Sequence, residues 1–248
     1  RDLTKAVERL QVPFPKAPAL NAEIIESPRQ ASLFIADLSR DARANGWEIG
    51  FDYETTGIKP HAQGHKIVCA SVGWGDRCAA FPMFRDQGFR DAWKSLLTDP
   101  KILKGAHNAQ FEAMWTREIL GYWPIGWGYD TCLDAHVIDN NRPTNLKFEV
   151  FHRLGILGYD DGVDKYLESE EKGCNSFNRI LEAPIEDVLK YCAMDSRYMV
   201  EVRRQQVEEL REYRPQMRGS RFFLNASLCL AQTSQWGMHI ETEKMEEA

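Results

Sequence analysis

The chain has 248 residues, 43% of them hydrophobic and 27% charged, with a formal net charge of −6. These values exclude a disordered or fibrous chain and leave room for one large domain, alone or with appendages. The negative balance excludes a general pull toward polyanions, although bound cations can supply positive charge locally. Six cysteines (Cys69, Cys78, Cys132, Cys174, Cys192 and Cys229) form no CxxC pair and no regular spacing, as expected for reduced thiols. No apolar run approaches the length of a membrane span, so no membrane partner is expected.

Residues 1–26 carry Pro13, Pro15 and Pro18 and read as a loose leader. Ser27, Pro28 and Gln30 make a capping-box start. Leu33, Phe34, Leu38 and Ala42 then give a helical apolar stripe ending at Gly46. The stretch "WEIGFDYETTG" follows as a strand, with Ile49, Phe51 and Tyr53 on one face and Gly50, Asp52 and Glu54 on the other. "KIVCASVGW" and "CAAFPM", joined through Gly75-Asp76, complete an antiparallel meander of three strands. His61, His65 and Cys69 fall at regular spacing, but three ligands running into a strand are too few for a structural zinc site.

"FRDAWKSLLTDP" reads as a helix closed by Pro100 and "KILKGA" as a short strand. "HNAQFEAMWTREILG" is a helix with Asn108 as its cap and Gly121 after its end. "YDTCLDAHVID" and "TNLKFEVFHRLGI" follow, with Asp130 and Asp134 as extra acids, Asp130 having a structural part. A charged, glycine-containing loop spans 158–176, and a long helix over about 184–212 carries Val188, Leu189, Cys192, Met199, Val202 and Leu210. Trp74, Trp123 and Trp127 fit packing better than base stacking. The arginines and glutamates of "EVRRQQVEELREYRPQMRGSR" fit a solvated helix face as well as phosphate contact. Strands followed by mixed strand and helix argue for an α/β domain around a mixed sheet.

Three acidic placements do not suit a plain scaffold. Asp52 and Glu54 lie side by side at a strand end, and Asp195 lies within the apolar stripe of the long helix, with Tyr191 one turn before it. Glu112, in the first turns of its helix, is favoured there by the helix dipole and is unremarkable alone. Carboxylates from separate segments make joint sense if they converge on divalent cations such as Mg²⁺, which prefer oxygen ligands. Two such ions can activate a water and stabilise the departing oxygen of a phosphodiester.

Taken together, "FDYETTG", "HNAQFE" and "YCAMD" resemble, in order and spacing, the three motifs of the DEDD 3′–5′ exonucleases, in the branch marked by Tyr191-x-x-x-Asp195. The resemblance covers about residues 45–205 and implies an α/β fold of RNase H type: a three-strand antiparallel meander plus parallel strands, flanked by helices. It further implies two divalent ions (Mg²⁺ or Mn²⁺), with Asp52 bridging both and Glu54 and Asp195 holding one. Tyr191 would orient the attacking water. Thr55 and Ile58, just after the strand, would grip and wedge the terminal nucleotide. Apart from the resemblance, Asn108 is a further candidate for substrate binding, and Phe177 and Asn178, which precede the long helix, are placed to approach the substrate strand. Glu112 departs from the family pattern, which has Asp there; the longer side chain must fold back or shorten a water bridge to the second ion.

"RFFLNASLCLAQTSQWGMHIETEKMEEA" reads as a helix through Leu224, Leu228 and Ala231, a break at Gly237, a short extended segment and a new helix start. It resembles the junction where the exonuclease domain of family A DNA polymerases meets the polymerase domain. With a start at Arg1 rather than Met, the chain reads as a fragment: a leader (1–26), an exonuclease domain (27–212) and a polymerase-domain junction (213–248). The expected activity is proofreading hydrolysis of single-stranded DNA 3′ ends, beside a C-terminal polymerase domain, in the cytoplasm of a bacterial or phage-infected cell. The alternatives are an RNase D-like exoribonuclease or free-standing exonuclease, and a non-catalytic exonuclease-like scaffold.

Overall fold

The computed structural model describes residues 22–169, 176–212, 214–237 and 241. Most of the expected leader, Cys174, the extended segment at 238–240 and the helix start at 242–248 lie outside the described residues. Within them, no helix is long and apolar enough to cross a membrane.

A six-stranded mixed sheet runs in the order β1-β4-β3-β2-β5-β6. β2 (Ile49–Thr55), β3 (Ile67–Trp74) and β4 (Arg77–Pro82) form the antiparallel meander. Gly75, at φ +55°, takes the positive φ that the tight turn between β3 and β4 needs. β5 (Lys104–Ala106) and β6 (Trp127–Asp130) add parallel to the β2 side. β1 (Ala22–Ile24) adds parallel to β4, and Ile25 behind it is buried. These residues read as leader in the sequence; three residues are too few to show alternation, and only pairing with β4 makes them a strand.

One face of the sheet is covered by α1 (Pro28–Asn45) and α2 (Gln87–Leu97). Ser27 caps α1 by accepting from the Gln30 N–H, and Gly46 ends it in the left-handed region. Leu38 and Ala42 of the expected stripe are buried, but Leu33 is 60% exposed, and Ala31 and Ile35 complete the inward face in its place. Phe51 and Tyr53 of β2 meet Trp93 of α2, and Phe81 packs on Phe89 and Trp93, in edge-on aromatic contacts.

The other face receives α7 (Ile185–Glu212), packed across β2, β3 and β4. α3 (Ala109–Trp115) and α4 (Thr131–Ile138) lie at the β5–β6 end, and α4 and α5 (Leu146–Leu154) flank α7. α3 is shorter than expected: it loosens into a π-helical turn over Thr116–Leu120, closed by Gly121 at φ +85°. The four-residue α6 (Asp164–Leu167) lies in the loop after α5. α8 (Arg214–Trp236) lies against α3, α4 and β6, burying Leu224 and Ala231. The break expected after it is there, with Gly237 at φ +65°.

What seats α7 is a close backbone approach. A Cβ on Gly73 would lie 2.3 Å from the Ser196 carbonyl oxygen, and Ser71 Oγ donates to the Cys192 carbonyl at 2.7 Å. At Gly50, on the same face, the nearest neighbour of an added Cβ is the Met199 methyl at 2.5 Å. A flexible methyl can yield, whereas a helix backbone cannot without displacing its whole turn. Gly73→Ala is therefore expected to destabilise by about 1–3 kcal/mol, the usual cost of overpacking, and Gly50→Ala by less. Urea unfolding of the two variants checks the order.

Candidate active site

The site forms where β2 ends beneath α7. Asp52 pairs in register with Ser71 and Glu54 with Cys69, so both acids lie on the sheet face that α7 covers. A register irregularity between Glu54 and Thr55 ends the regular pairing just beyond them. Asp52 is half-buried and Glu54 buried, and each offers an oxygen within 4.8 Å of the other and of Cys192 Sγ. Cys192 approaches Asp52 Oδ2 at 3.7 Å.

Asp195 comes down from α7 and is 7% exposed. Among the described residues neither an arginine nor a backbone amide satisfies it. The Tyr159 hydroxyl donates to its Oδ1 at 2.8 Å, and Tyr191 also hydrogen-bonds to it. The two tyrosine rings stack with centroids 6.0 Å apart. Lys147, which pairs with Asp160 and Asp164, anchors the turn carrying Tyr159 and favours the ionised form of Asp195. In the sequence Tyr159 reads only as part of the charged loop. The tyrosine in "LGYDDG" has no periodic partner, and only the fold places it over the long helix.

Glu112 of α3 is 2% exposed. A backbone hydrogen bond to Tyr53 draws it back onto β2, while its Oε2 has no hydrogen-bond partner among the described residues. The position of α3 is fixed by Asp130 rather than by Asn108. Asn108 occupies the cap position at φ +78° with no side-chain cap bond. Asp130 instead accepts from the backbone N–H groups of Asn108 (3.1 Å) and Ala109 (2.7 Å), and from those of Cys132 (2.9 Å) and Leu133 (3.2 Å) at the start of α4. One carboxylate caps two helices, the structural part expected of it.

Electrostatically the four acids are a strained set. Burial pushes the carboxyl of Asp52 up and the charge of Asp195 adds to it. Burial, then Asp52 and Asp195, raise Glu54 and Glu112 likewise. Asp195 is pushed up to about 7 by burial, against its tyrosine hydrogen bonds. Crowded, desolvated carboxylates with an orphaned oxygen fit hard divalent cations, which would cancel the repulsion and take up the free lone pairs.

Thr55, Ile58 and Phe177 are brought together beside the acids. Thr55 Oγ1 donates to the Gly57 carbonyl at 2.7 Å, and Ile58 is 66% exposed. Asn178 ties the distant segment to this turn through its Nδ2 to Thr55 O (2.9 Å) and its N–H to Thr56 O (3.0 Å). Phe177, half exposed, stacks on His65 with centroids 4.3 Å apart. Asn108 is exposed on the α3 side. His61, His65 and Cys69 do not form a metal-binding group: among the described residues the single such group is Asp52, Glu54 and Cys192. Trp74 and Trp127 are buried in the core, as packing requires. Arg197, Arg204 and Arg211 pair with glutamates on α7, and Arg203 reaches Asp134 at 2.9 Å.

Residues 22–211 match the family described as 3′–5′ exonuclease. No curated protein matches the chain. Among solved structures, NrnC from Brucella melitensis is 17% identical with a TM-score of 0.58, over 77% of this chain and 85% of that one. RNase D from Escherichia coli, an exoribonuclease involved in structured RNA processing, is 19% identical with a TM-score of 0.54, over 81% and 51%. The POL domain of Pol1 from M. smegmatis, in complex with DNA primer-template and dNTP, is 14% identical with a TM-score of 0.64, over 92% and 34%. At these identities the likeness is one of fold.

If repulsion among the acids strains the metal-free protein, removing one charge should relieve it. Asp52→Asn is expected to raise the melting temperature in a chelator by a few degrees, about 2–4 °C per kcal/mol for a domain of this size. Mg²⁺ or Mn²⁺ should raise it for the wild type and much less for the variant. Differential scanning calorimetry with and without cation measures both.

Proposed function

The chain belongs to the 3′–5′ exonuclease family, and from that premise we propose that it hydrolyses the terminal phosphodiester of single-stranded DNA from the 3′ end, as the proofreading part of a DNA polymerase. The observation that carries the catalytic half of this reading is the convergence of Asp52, Glu54, Glu112 and Asp195, with Glu112 Oε2 buried and without a partner among the described residues. Asp52, Glu54 and Asp195, with Glu112 opposite, would hold two divalent cations. Those ions, when bound, activate the attacking water and stabilise the leaving oxygen.

The chain's own residues do the rest. Tyr191, tied to Asp195 and stacked on Tyr159, presents its hydroxyl at the acid cluster, where it orients the water for attack on phosphorus. Tyr159 keeps the Asp195 carboxylate from rotating. Thr55, Ile58 and Phe177 receive the last nucleotide, with Asn178 and His65 holding Phe177 in place. The bond broken joins phosphorus to the 3′ oxygen of the preceding nucleotide; that oxygen takes a proton, and a nucleoside 5′-monophosphate leaves.

The polymerase context is supported by the helix and the positive-φ Gly237 that follow the matched region, and by the alignment with Pol1 over 92% of this chain. A second reading, an exoribonuclease, is favoured by the fold shared with RNase D.

Digestion of matched 5′-labelled DNA and RNA single strands, with Mg²⁺, Mn²⁺ or chelator, separates the readings. DNA is expected to shorten stepwise from its 3′ end, only with cation, and faster than RNA. Asp52→Ala should abolish cleavage, and equal rates for wild type and variant would sink the assignment. Tyr191→Phe should slow cleavage by about 10²–10⁴-fold while calorimetric metal affinity stays nearly unchanged.

Glu112 sets the metal preference. Mg²⁺ requires near-ideal octahedral geometry, so the wild type should show a higher Mn²⁺-to-Mg²⁺ rate ratio than Glu112→Asp. A ratio that rises in the variant would mark the glutamate as a fitted ligand.

A further inference from the structure

The side chain in the acid cluster that the proposed reaction does not use is a thiol. Cys192 lies on α7 between Tyr191 and Asp195, is fully buried, and is fixed in place because its carbonyl accepts the Ser71 hydroxyl. Its sulfur lies 3.7 Å from Asp52 Oδ2, and one oxygen each from Asp52 and Glu54 falls within 4.8 Å of it and of the other. A tetrahedral cation with bonds of about 2.3 Å to sulfur and about 2.0–2.2 Å to oxygen sets those two ligand atoms about 3.6 Å apart. The 3.7 Å from Cys192 Sγ to Asp52 Oδ2, across which the thiol now donates a hydrogen bond, is close to the spacing such an ion imposes. A second, separate sign that this pocket takes a cation is Glu112 Oε2, buried across the cluster without a partner among the described residues.

We propose that Asp52, Glu54 and Cys192 form a mixed sulfur–oxygen site for a thiophilic divalent cation of the Zn²⁺ or Cd²⁺ class, which competes with Mg²⁺ and silences the enzyme. The inference rests on the proposed nuclease reading only for its inhibitory consequence. Soft thiolate selects such ions, whereas all-oxygen sites suit Mg²⁺ and Mn²⁺. Binding replaces the S–H bond by a sulfur–metal bond and releases one proton to the buffer; nothing is oxidised or reduced. A tetrahedral ion held this way occupies Asp52 and Glu54 in a geometry unlike the octahedral one that Mg²⁺ requires.

The test uses the metal alone, with no nucleic acid present. The metal-free full chain, kept reduced by a phosphine, is titrated with Cd²⁺ while thiolate-to-metal charge-transfer absorption is followed in the ultraviolet. One equivalent should saturate the band. Cys132→Ala and Cys229→Ala should keep it, and Cys192→Ala should lose it. Loss of even an indirect ligand partner costs about 10–100-fold in metal affinity, so Asp52→Asn should weaken Cd²⁺ binding by at least about tenfold.

In the nuclease assay, Cys192→Ala should raise the Zn²⁺ concentration for half-inhibition by a similar factor. A band that never forms, or that survives in Cys192→Ala, overturns the proposal. If Cys192→Ala does not fold, the ¹¹³Cd resonance of the wild type decides: a shift typical of all-oxygen ligation refutes the thiol. A Cd²⁺ band in a protein that cleaves nothing would sink the nuclease reading and leave this site standing.

Discussion

Everything at the site depends on how closely α7 lies on the sheet. Gly73 leaves no side chain between the strand and the Ser196 carbonyl, and the Ser71 hydroxyl clasps the Cys192 carbonyl one turn earlier. Those two contacts fix both the height and the register of the helix. Asp195 and Tyr191 then face Asp52 and Glu54, which share a strand face with Gly50. A slide of one residue would turn Asp195 away and bring a neighbouring side chain over the acids, since successive helix positions point about 100° apart. The arrangement of the acids is therefore a consequence of backbone packing before it is one of side-chain chemistry.

The same closeness makes the site costly to the fold. Four carboxylates are removed from water and set against each other, and burial outweighs the hydrogen bonds that would keep Asp195 ionised. The offsetting stabilisation lies outside the site. It comes from the aromatic cluster of Phe51, Tyr53, Phe81, Phe89 and Trp93 on the opposite face, and from the Arg203–Asp134 pair joining α7 to α4. Local strain at a functional centre, carried by a well-packed surround, is the usual division of roles.

Much of this was legible in the sequence because periodicity and motif agreed. The meander, the Ser27 and Gly46 ends of α1, the stripe of α7 and the odd placement of Asp52, Glu54 and Asp195 follow from residue type and spacing, whereas Glu112 joined them only through the resemblance. The parts that were not legible depend on tertiary contacts. Ala22–Ile24 gain strand character only from β4, and Leu33 looks like a core residue until Ile35 takes the inward face. The cap of α3 comes from Asp130, 22 residues beyond Asn108, and local pattern cannot reach that far. Tyr159 enters the site from a loop whose composition looked like solvent-facing linker. Glu112 was visible as a departure from the resemblance, but its return to the Tyr53 backbone was not.

Asp130 also has a mechanical meaning. Since one side chain ends both α3 and α4, the two helices are pinned at a common point and cannot rotate independently. α4 is in turn fastened through Asp134 to Arg203 on α7 and to Ser220 on α8. A continuous run of hydrogen bonds thus joins α8 through Asp134 to α4, and α4 through Asp130 to α3, the helix that carries Glu112.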